Sequence, residues 1–324
     1  MPHVETVRGP RDVAALGTTL MHEHVFVLSP EIRENYPASW DEEARVADAI
    51  AKLAKMKAAG VETIVDPTVI GLGRSIPRIQ RVNAGVDVNI IVATGIYTYD
   101  ELPHYFDFRG PRTLFGGEDP LVGMFVGDIR DGIAGTGVKA AFLKCAIDAR
   151  GMTPGVERAM RAVARAQRET GVPVTVHTNV HNRSGLLVQQ VMREEGVDLG
   201  KIVIGHSGDS TDLAYLTELI EAGSLLGMDR FGIDVLLPFE KRVETVAELC
   251  RRGFAERMVL SHDASCHIDW FPPAMTETVV PKWHFTHIHD DVLPALRERG
   301  VSEAQIATML VDNPRRYFTP ADAR

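Results

Sequence analysis

Eight short apolar stretches, separated by segments with helical patterning, constrain the fold of this chain more than any other feature. Strands are predicted at 20–27, 61–68, 90–97, 140–146, 173–178, 201–207, 224–230 and 258–263. Helices are predicted between them, most clearly over 41–59, 155–170, 183–195, 211–222 and 240–252, with a last helix over 302–311. Near-continuous apolar strands that alternate with helices indicate a parallel sheet covered on both faces.

Two architectures contain such a sheet, an open doubly wound sheet and a closed barrel. Eight strands match the count of a (β/α)8 barrel, and nearly every predicted strand ends in a polar residue that can perform chemistry. A barrel gathers all of these ends at one mouth, whereas an open sheet spreads them along an edge. We therefore predict an α/β fold, a (β/α)8 TIM barrel with its active site at the C-terminal ends of the strands. Residues 1–324 are expected to form one domain.

Charge and cysteine content argue against several partners and compartments. The formal net charge is -9, which argues against nucleic acid and anionic membranes as partners. No apolar run reaches the roughly 18 residues of a membrane-spanning helix, and the first residues lack the basic start and apolar run of a signal peptide. The three cysteines do not form an even disulfide framework. We expect a cytoplasmic protein with no membrane association.

His22 and His24 lie two residues apart in the first predicted strand. Alternate residues of a strand point to the same face, so both imidazoles are expected on one side and Glu23 on the other. Two neutral imidazoles side by side can bind a divalent metal such as zinc. A hydrogen-bonded pair of histidines near a strand end would show the same spacing, so a motif this short needs support from the rest of the chain.

That support comes from polar residues near the ends of four other predicted strands: Lys144, His177, His206 and Asp263. Imidazole and carboxylate donors favour zinc, or else cobalt, iron or manganese, over magnesium and calcium, which prefer oxygen ligands. This set is too large for one tetrahedral catalytic zinc with an open position and suits two metals that share a bridge.

Lys144 does not fit a metal site as an ammonium, because its positive charge would repel the cations. One interpretation is a lysine at the rim of the barrel that pairs with a carboxylate. The other is a lysine whose Nζ is carboxylated by CO2, which makes it an anionic, two-oxygen ligand able to bridge two metals. A lysine among apolar residues has a lowered pKa, so the neutral amine that this modification requires is available.

The sequence resembles the phosphotriesterase family of the amidohydrolase superfamily, and within it most closely the phosphotriesterase-like lactonases. The resemblance extends from about residue 5 to about residue 318 and is carried by four motifs: Met21-His22-Glu23-His24, Val65-Asp66-Pro67-Thr68, Gly205-His206-Ser207-Gly208-Asp209 and Ser261-His262-Asp263. It implies a centre of two divalent metal ions, with zinc expected first. The implied ligands are His22, His24 and Asp263 for the more buried metal, His177 and His206 for the more exposed metal, and N6-carboxylated Lys144 as a bridge.

The same resemblance implies the reaction. A metal-bridging hydroxide would open lactone rings, those of N-acyl-homoserine lactones or other γ- and δ-lactones, as in quorum quenching, with promiscuous hydrolysis of organophosphate triesters. Asp263 would take the proton of the hydroxide and relay it to the leaving oxygen. The alternatives are an enzyme that is primarily a phosphotriesterase (an aryldialkylphosphatase), another hydrolase of the superfamily, or a non-enzymatic barrel, which would be expected to lack a ligand. Relatives suggest a homodimer.

Two positions separate the subfamilies. The resemblance implies that the phenol of Tyr97 hydrogen-bonds the bridging or attacked oxygen, and a tyrosine at the edge of the core is the alternative. Arg230 stands where triesterases that specialise in pesticides carry a histidine, which relays protons with an aspartate matching Asp209. Arginine does not release its proton at working pH. The substitution therefore favours a lactone over a triester, with Arg230 bonded to substrate or paired with Asp209.

The segment 264–284 is long for a loop, and long loops are usually functional or disordered. In the lactonases this loop forms an apolar channel for an acyl chain, so the resemblance implies that Trp270, Phe271 and Met275 bind substrate. Trp270 or Trp283 could instead form a dimer contact.

Two further features of the sequence are interpreted as structural and not as parts of the active site. Cys145 follows Lys144 and is expected on the opposite face, in the core. His284, His287 and His289 are irregularly spaced, and we expect a solvated helix start there and not a second metal site.

Overall fold

The computed structural model describes residues 2–320, apart from the side chains of Ser39, Pro273 and Met275. The strands are β1 (His3–Thr6), β2 (Gly9–Asp12), β3 (Thr19–Leu20), β4 (His24–Val27), β5 (Thr63–Asp66), β6 (Asn89–Gly95), β7 (Phe142–Ala146), β8 (Val174–His177), β9 (Ile202–Gly205), β10 (Leu225–Met228), β11 (Met258–Leu260) and β12 (Ser265–Ile268). The helices are α1 (Pro30–Asn35), α2 (Glu42–Ala58), α3 (Ile76–Ala84), α4 (Pro120–Arg130), α5 (Pro154–Thr170), α6 (Ser184–Glu194), α7 (Leu213–Glu221), α8 (Phe239–Arg251), α9 (Pro273–Val279), α10 (Leu293–Glu298), α11 (Glu303–Ala307) and α12 (Asn313–Phe318).

One eight-stranded sheet organises these elements. Its order is β11, β10, β9, β8, β7, β6, β5 and β3, and every pairing is parallel. The backbone N–H of Met21 donates to the carbonyl of Leu260 at 3.4 Å, which brings the two edges of the sheet together. The predicted (β/α)8 barrel is therefore confirmed, and the open-sheet alternative is excluded.

The prediction of one continuous first strand over 20–27 is wrong. β3 ends at Leu20, and β4 begins only at His24 and pairs with β12, outside the eight-stranded sheet. Between β3 and β4, the backbone of residues 21–23 forms hydrogen bonds alternately with the barrel strands on its two sides. Met21 bonds to the eighth barrel strand, and Glu23 N donates to Val65 O at 3.0 Å in the second. Closure of the barrel therefore breaks this strand over residues 21–23, so that His22 lies in the break and His24 begins β4.

The five clearest predicted helices are confirmed as α2, α5, α6, α7 and α8. In α2, the Asp41 side chain caps the N-terminus, and Val46, Ala49, Leu53 and Met56 form its buried face at helical spacing. The predicted last helix is α11 continued by a π-type turn, Thr308–Asp312, into α12. None of the described helices is long and apolar enough to cross a membrane.

The core has an inner and an outer layer. Val65, Ile91, Phe142 and Val259 fill the barrel, and Tyr317 of α12 closes its lower end. A larger cluster lies between strands and helices and contains Cys145, so the prediction that Cys145 packs in the core is confirmed. Because the interior is packed with side chains, a ligand can enter only at the upper mouth.

Candidate metal centre and active site

A cavity of about 370 Å³ opens at the C-terminal ends of the barrel strands. Its floor consists of polar side chains and its walls are mostly apolar. The polar lining residues are His22, His24, Tyr97, Tyr99, Lys144, His177, His206, Arg230, Asp263, Ser265 and Thr276. Every residue that the sequence predicted as a metal ligand therefore faces this one cavity.

His22, His24 and Asp263 form the first donor group. Oδ1 of Asp263 lies 3.3 Å from Nε2 of His22 and 3.2 Å from Nε2 of His24. Nδ1 of His24 lies 2.7 Å from Oγ1 of Thr68, whose own hydroxyl donates to Asp66, so Nδ1 carries a proton and Nε2 is the nitrogen that can give its lone pair to a cation once the ring is neutral. All three groups turn donor atoms toward one point, within 4.8 Å of one another, as a metal requires.

The carboxylates beside His24 favour its protonated form. Burial lowers the pKa of His24, but the contacts with Asp263 and Asp66 outweigh burial and raise it to about 9. A proton between His24 and Asp263 keeps the two groups together. A bound cation would take the place of that proton, because metal ligands bind in their deprotonated form.

His177 and His206 form the second donor group. Nε2 of His177 lies 2.5 Å from the carboxylate of Asp148, and Nδ1 of His206 lies 2.9 Å from that of Asp229. Each carboxylate requires an N–H at that position, so in neutral rings the two inward nitrogens both present lone pairs. These nitrogens are only 2.8 Å apart. Two facing lone pairs repel each other, and a cation between them removes the repulsion, so this pair fits a metal.

The pKa values agree with that fit. Burial, followed by the positive charge of Arg230, holds the pKa of His206 well below its usual value. Burial lowers the pKa of His177 to about 4, although Asp148 opposes the change. Both imidazoles are therefore neutral near pH 7, which is the state that binds metal.

Lys144 is 1% exposed and lies inside the barrel, not on its rim. Its Nζ is 3.4 Å from Nε2 of His22, and within the described residues it forms no ion pair with a carboxylate. Burial lowers the pKa of Lys144 to about 8, although the charges of Asp263 and Asp229 oppose the change. About a tenth of the amine is therefore neutral at pH 7, and reaction with CO2 requires this neutral form.

Tyr97 and Arg230 flank the donor groups. Oη of Tyr97 lies 3.1 Å from Nδ1 of His177 and is hydrogen-bonded to the phenol of Tyr99, a contact that the sequence did not predict. Arg230 donates from Nε to Asp263 at 3.1 Å and from Nη1 to Asp209 at 3.0 Å. Of the two contacts considered for Arg230, the pairing with Asp209 is present.

Glu23 is not among the described residues that line the cavity, and its supporting role was not predicted from the sequence. It is fully buried, and its carboxylate accepts from the hydroxyl of Ser261, from N and Nδ1 of His262, and from the N–H of Ala264. These residues surround Asp263, whose φ of +57° lies in the left-handed region. A residue other than glycine in that region is strained by about 1–3 kcal/mol. Glu23 therefore holds the strained turn that presents Asp263.

Asp229 was the other omission. It is buried behind both donor groups, and with His22 and His206 it forms a second cluster of potential ligand atoms. In this cluster the nitrogens are the Nδ1 atoms, which are hydrogen-bonded to the carboxylate. The available signal was its position, near the end of the seventh predicted strand.

The mouth of the cavity is formed by the long loop after β11. Trp270 and Phe271 line it and are 43% and 47% exposed. Met275 lies in α9, but its side chain is outside the described residues. Trp283 also lines the cavity and donates from Nε1 to the carbonyl of His262 at 2.9 Å.

The prediction of a solvated helix start at the three later histidines is wrong for His287. This residue is 2% exposed, and its Nδ1 lies 2.7 Å from Asp291. His284 and His289 are half-buried. The ring of His287 packs against Phe239 at the start of α8, with ring centroids 5.5 Å apart, a contact between separate elements that the sequence pattern did not reveal. None of the three is among the described residues that line the cavity.

Known proteins resemble this chain over almost its whole length. A model of the phosphotriesterase family matches residues 2–318. A phosphotriesterase homology protein of Mycobacterium tuberculosis is 58% identical over 319 residues, which is 98% of each chain. An aryldialkylphosphatase of Saccharolobus solfataricus is 40% identical over 306 residues, 94% of this chain and 95% of that protein. The solved structure of the phosphotriesterase from Mycobacterium tuberculosis matches with a TM-score of 0.97 and 57% identity, covering 98% of each chain.

Proposed function

This chain belongs to the phosphotriesterase family, and on that premise we propose that it is a two-metal hydrolase that opens lactone rings. Preferred substrates are lactones with an apolar chain, such as N-acyl-homoserine lactones, and organophosphate triesters are side substrates. The observation that carries the proposal is the convergence of two donor groups and Lys144 at the floor of one cavity with apolar walls. Such a cavity suits a substrate with a reactive polar end and an apolar remainder.

The donor chemistry supports two divalent ions. Bound there, they would supply a water nucleophile that ionises near neutral pH and would polarise the carbonyl or phosphoryl oxygen. Nitrogen and carboxylate donors favour zinc, with cobalt, iron and manganese as alternatives. We propose that Lys144, carboxylated on Nζ, joins the two donor groups.

Asp263 is proposed to move the proton. Its Oδ1 faces Nε2 of both His22 and His24, and its Oδ2 faces Arg230 on the opposite side. The carboxylate can accept the proton of water as the new carbon–oxygen bond forms. It can then release that proton to the ring oxygen as the ring carbon–oxygen bond breaks. Water and lactone thereby become one hydroxy acid.

Tyr97 and Arg230 are proposed to hold the substrate. Burial, followed by the neighbouring phenol of Tyr99, raises the pKa of Tyr97 well above its usual value. Tyr97 therefore stays protonated and can donate to the oxygen under attack. Arg230 is held by two carboxylates and keeps its proton, so a relay through this position does not operate. This supports a lactone over a triester as the preferred substrate.

A second candidate is a primary phosphotriesterase. It is favoured by the 40% identity to a protein named aryldialkylphosphatase. The two candidates share the metal centre and differ in which substrate is turned over faster.

One experiment tests the proposal. The purified protein is assayed with an N-acyl-homoserine lactone, a γ-lactone without a chain and an aryl dialkyl phosphotriester, and its metal content is measured in parallel. We expect about two ions per chain and a higher kcat/KM for the acylated lactone than for the triester. Faster triester turnover would support the second candidate. A metal-loaded sample that opens no lactone would refute the first.

Trp270→Ala is expected to reduce selectivity for chain-bearing lactones. Loss of about 1–2 kcal/mol of apolar contact should lower kcat/KM for a long acyl chain roughly tenfold. Hydrolysis of the lactone without a chain should stay within about twofold, because its reacting atoms lie at the cavity floor. The control is Phe115→Ala, since Phe115 is 76% exposed and does not line the cavity. An equal decline for both lactones would contradict a role in binding the chain.

We also propose a cytoplasmic homodimer. All three cysteines are free and buried, as suits a reducing compartment. Light scattering on the eluted peak of a sizing column tests the dimer.

A further inference from the structure

Asp229 contacts one ligand from each donor group. The residue is 1% exposed and follows β10 directly. Its Oδ2 lies 3.1 Å from Nδ1 of His22, and its Oδ1 lies 2.9 Å from Nδ1 of His206. The same Oδ1 accepts from the backbone N–H of His206 at 2.8 Å. One carboxylate therefore spans the two halves of the centre from behind.

The surrounding backbone makes room for this carboxylate. A Cβ on Gly227 would lie 2.3 Å from Oδ2 of Asp229, and a Cβ on Gly205 would lie 3.5 Å from it. His206 has φ of +63°, a strained conformation that its N–H bond to Asp229 helps to hold. Two strands and one strained residue are thus arranged around a side chain that does not face the cavity.

We infer that Asp229 is a positioning residue that sets one ligand of each metal at the same time. An ionised carboxylate has only acceptor sites, so both Nδ1 atoms must donate to it. Each Nε2 then carries a lone pair, and these two atoms point toward Asp263 and His177 respectively. If either histidine no longer donated from Nδ1 to Asp229, its ring could carry the proton on Nε2 instead. That Nε2 would then have no lone pair with which to bind a metal. This inference rests on the two-metal centre proposed above.

Asp229→Asn tests the inference by changing one atom. An asparagine offers one carbonyl oxygen and one NH2 group. The amide oxygen is expected to take the position of Oδ1, because it accepts there from both the backbone N–H and the Nδ1–H of His206. The NH2 group then takes the position of Oδ2, opposite Nδ1 of His22. His22 must then accept at Nδ1 and carry its proton on Nε2. The half-site of His22 should lose about 100-fold or more in metal affinity, while the half-site of His206 is retained.

The measurement is a metal titration with a chelator as competitor, on wild type and variant. We expect two tight ions for the wild type and one for Asp229→Asn. The matched control is Asp128→Asn. Within the described residues Asp128 contacts none of the proposed ligands, and its Oδ2 alone accepts from Arg74 at 2.8 Å and from the hydroxyl of Thr94 at 2.6 Å, so a single carbonyl oxygen is enough for it. This control should keep two ions, which separates the double contact from a general loss of negative charge.

The outcomes are distinguishable. Fewer than two ions in the wild type would refute the proposed centre, whereas two tight ions in a folded Asp229→Asn would overturn the role of Asp229. If that variant does not fold, nitrogen NMR of metal-free wild type with labelled histidine reads the tautomers directly. His22→Gln and His206→Gln assign the signals. Both residues should carry their proton on Nδ1, and a proton on Nε2 of either would overturn the inference.

Discussion

Lys144→Ala is expected to lower the hydrolysis of every substrate by more than about 100-fold. Loss of a residue that only hydrogen-bonds a metal ligand can already cost about 100-fold, and Lys144 is proposed to be a ligand itself. Bound metal should fall from about two ions per chain to about one or fewer. The reason is that the variant keeps both imidazole groups but loses the only anionic bridge proposed between them. Two cations without that charge repel each other, so the second ion should bind far more weakly.

Kinetic assays and metal analysis on the same sample check this prediction. Short carboxylic acids should restore part of the activity, because they supply a carboxylate to the space that the side chain leaves. Wild-type protein incubated with isotopically labelled bicarbonate should show a carbamate signal that the variant lacks. Cys145→Ala is the control, since Cys145 is the next residue and packs in the outer core layer. Full activity and two ions in Lys144→Ala would refute the bridge.

Glu23→Gln is expected to lower the free energy of unfolding by about 2–3 kcal/mol and to reduce activity further than the loss of stability explains. The carboxylate accepts four hydrogen bonds, and an amide would place an NH2 group against one of these donors. A buried donor left without an acceptor costs about 1–3 kcal/mol. The affected backbone lies on both sides of Asp263, so the proton-transferring carboxylate should shift.

Denaturant unfolding and assays well below the melting temperature separate the two effects. Glu221→Gln removes the same charge from an exposed position at the end of α7, and its stability should change by no more than about 0.5 kcal/mol. If Glu23→Gln were as stable and as active as the wild type, the bonds from Glu23 would not hold Asp263 in place.

The positions of most helices and strands were predictable, because apolar residues recur with a different spacing in helices and in strands. Five helices and seven of the eight barrel strands lie where the apolar pattern indicates. The chemistry was predictable where it depends on residue type and strand ends. A parallel barrel directs every C-terminal strand end to one mouth, so His177, His206 and Lys144 face one cavity although they are far apart in the chain.

The supporting residues were not predictable in this way. Glu23 and Asp229 act through hydrogen bonds to residues distant in sequence, and no periodic pattern marks such partners. The break between β3 and β4 also escaped prediction, because it arises from backbone bonds to both neighbours at barrel closure.

The barrel and the set of donor side chains were predictable from the residues alone, since strand period and side-chain chemistry are local properties. Which nitrogen of each histidine faces the cavity, and which carboxylate lies behind it, depends on the folded arrangement. This arrangement also buries Lys144 without an ion-pair partner in the described residues and binds Arg230 to two aspartates. These are relations between separate strands, and they exist only when closure brings the first and last strands together.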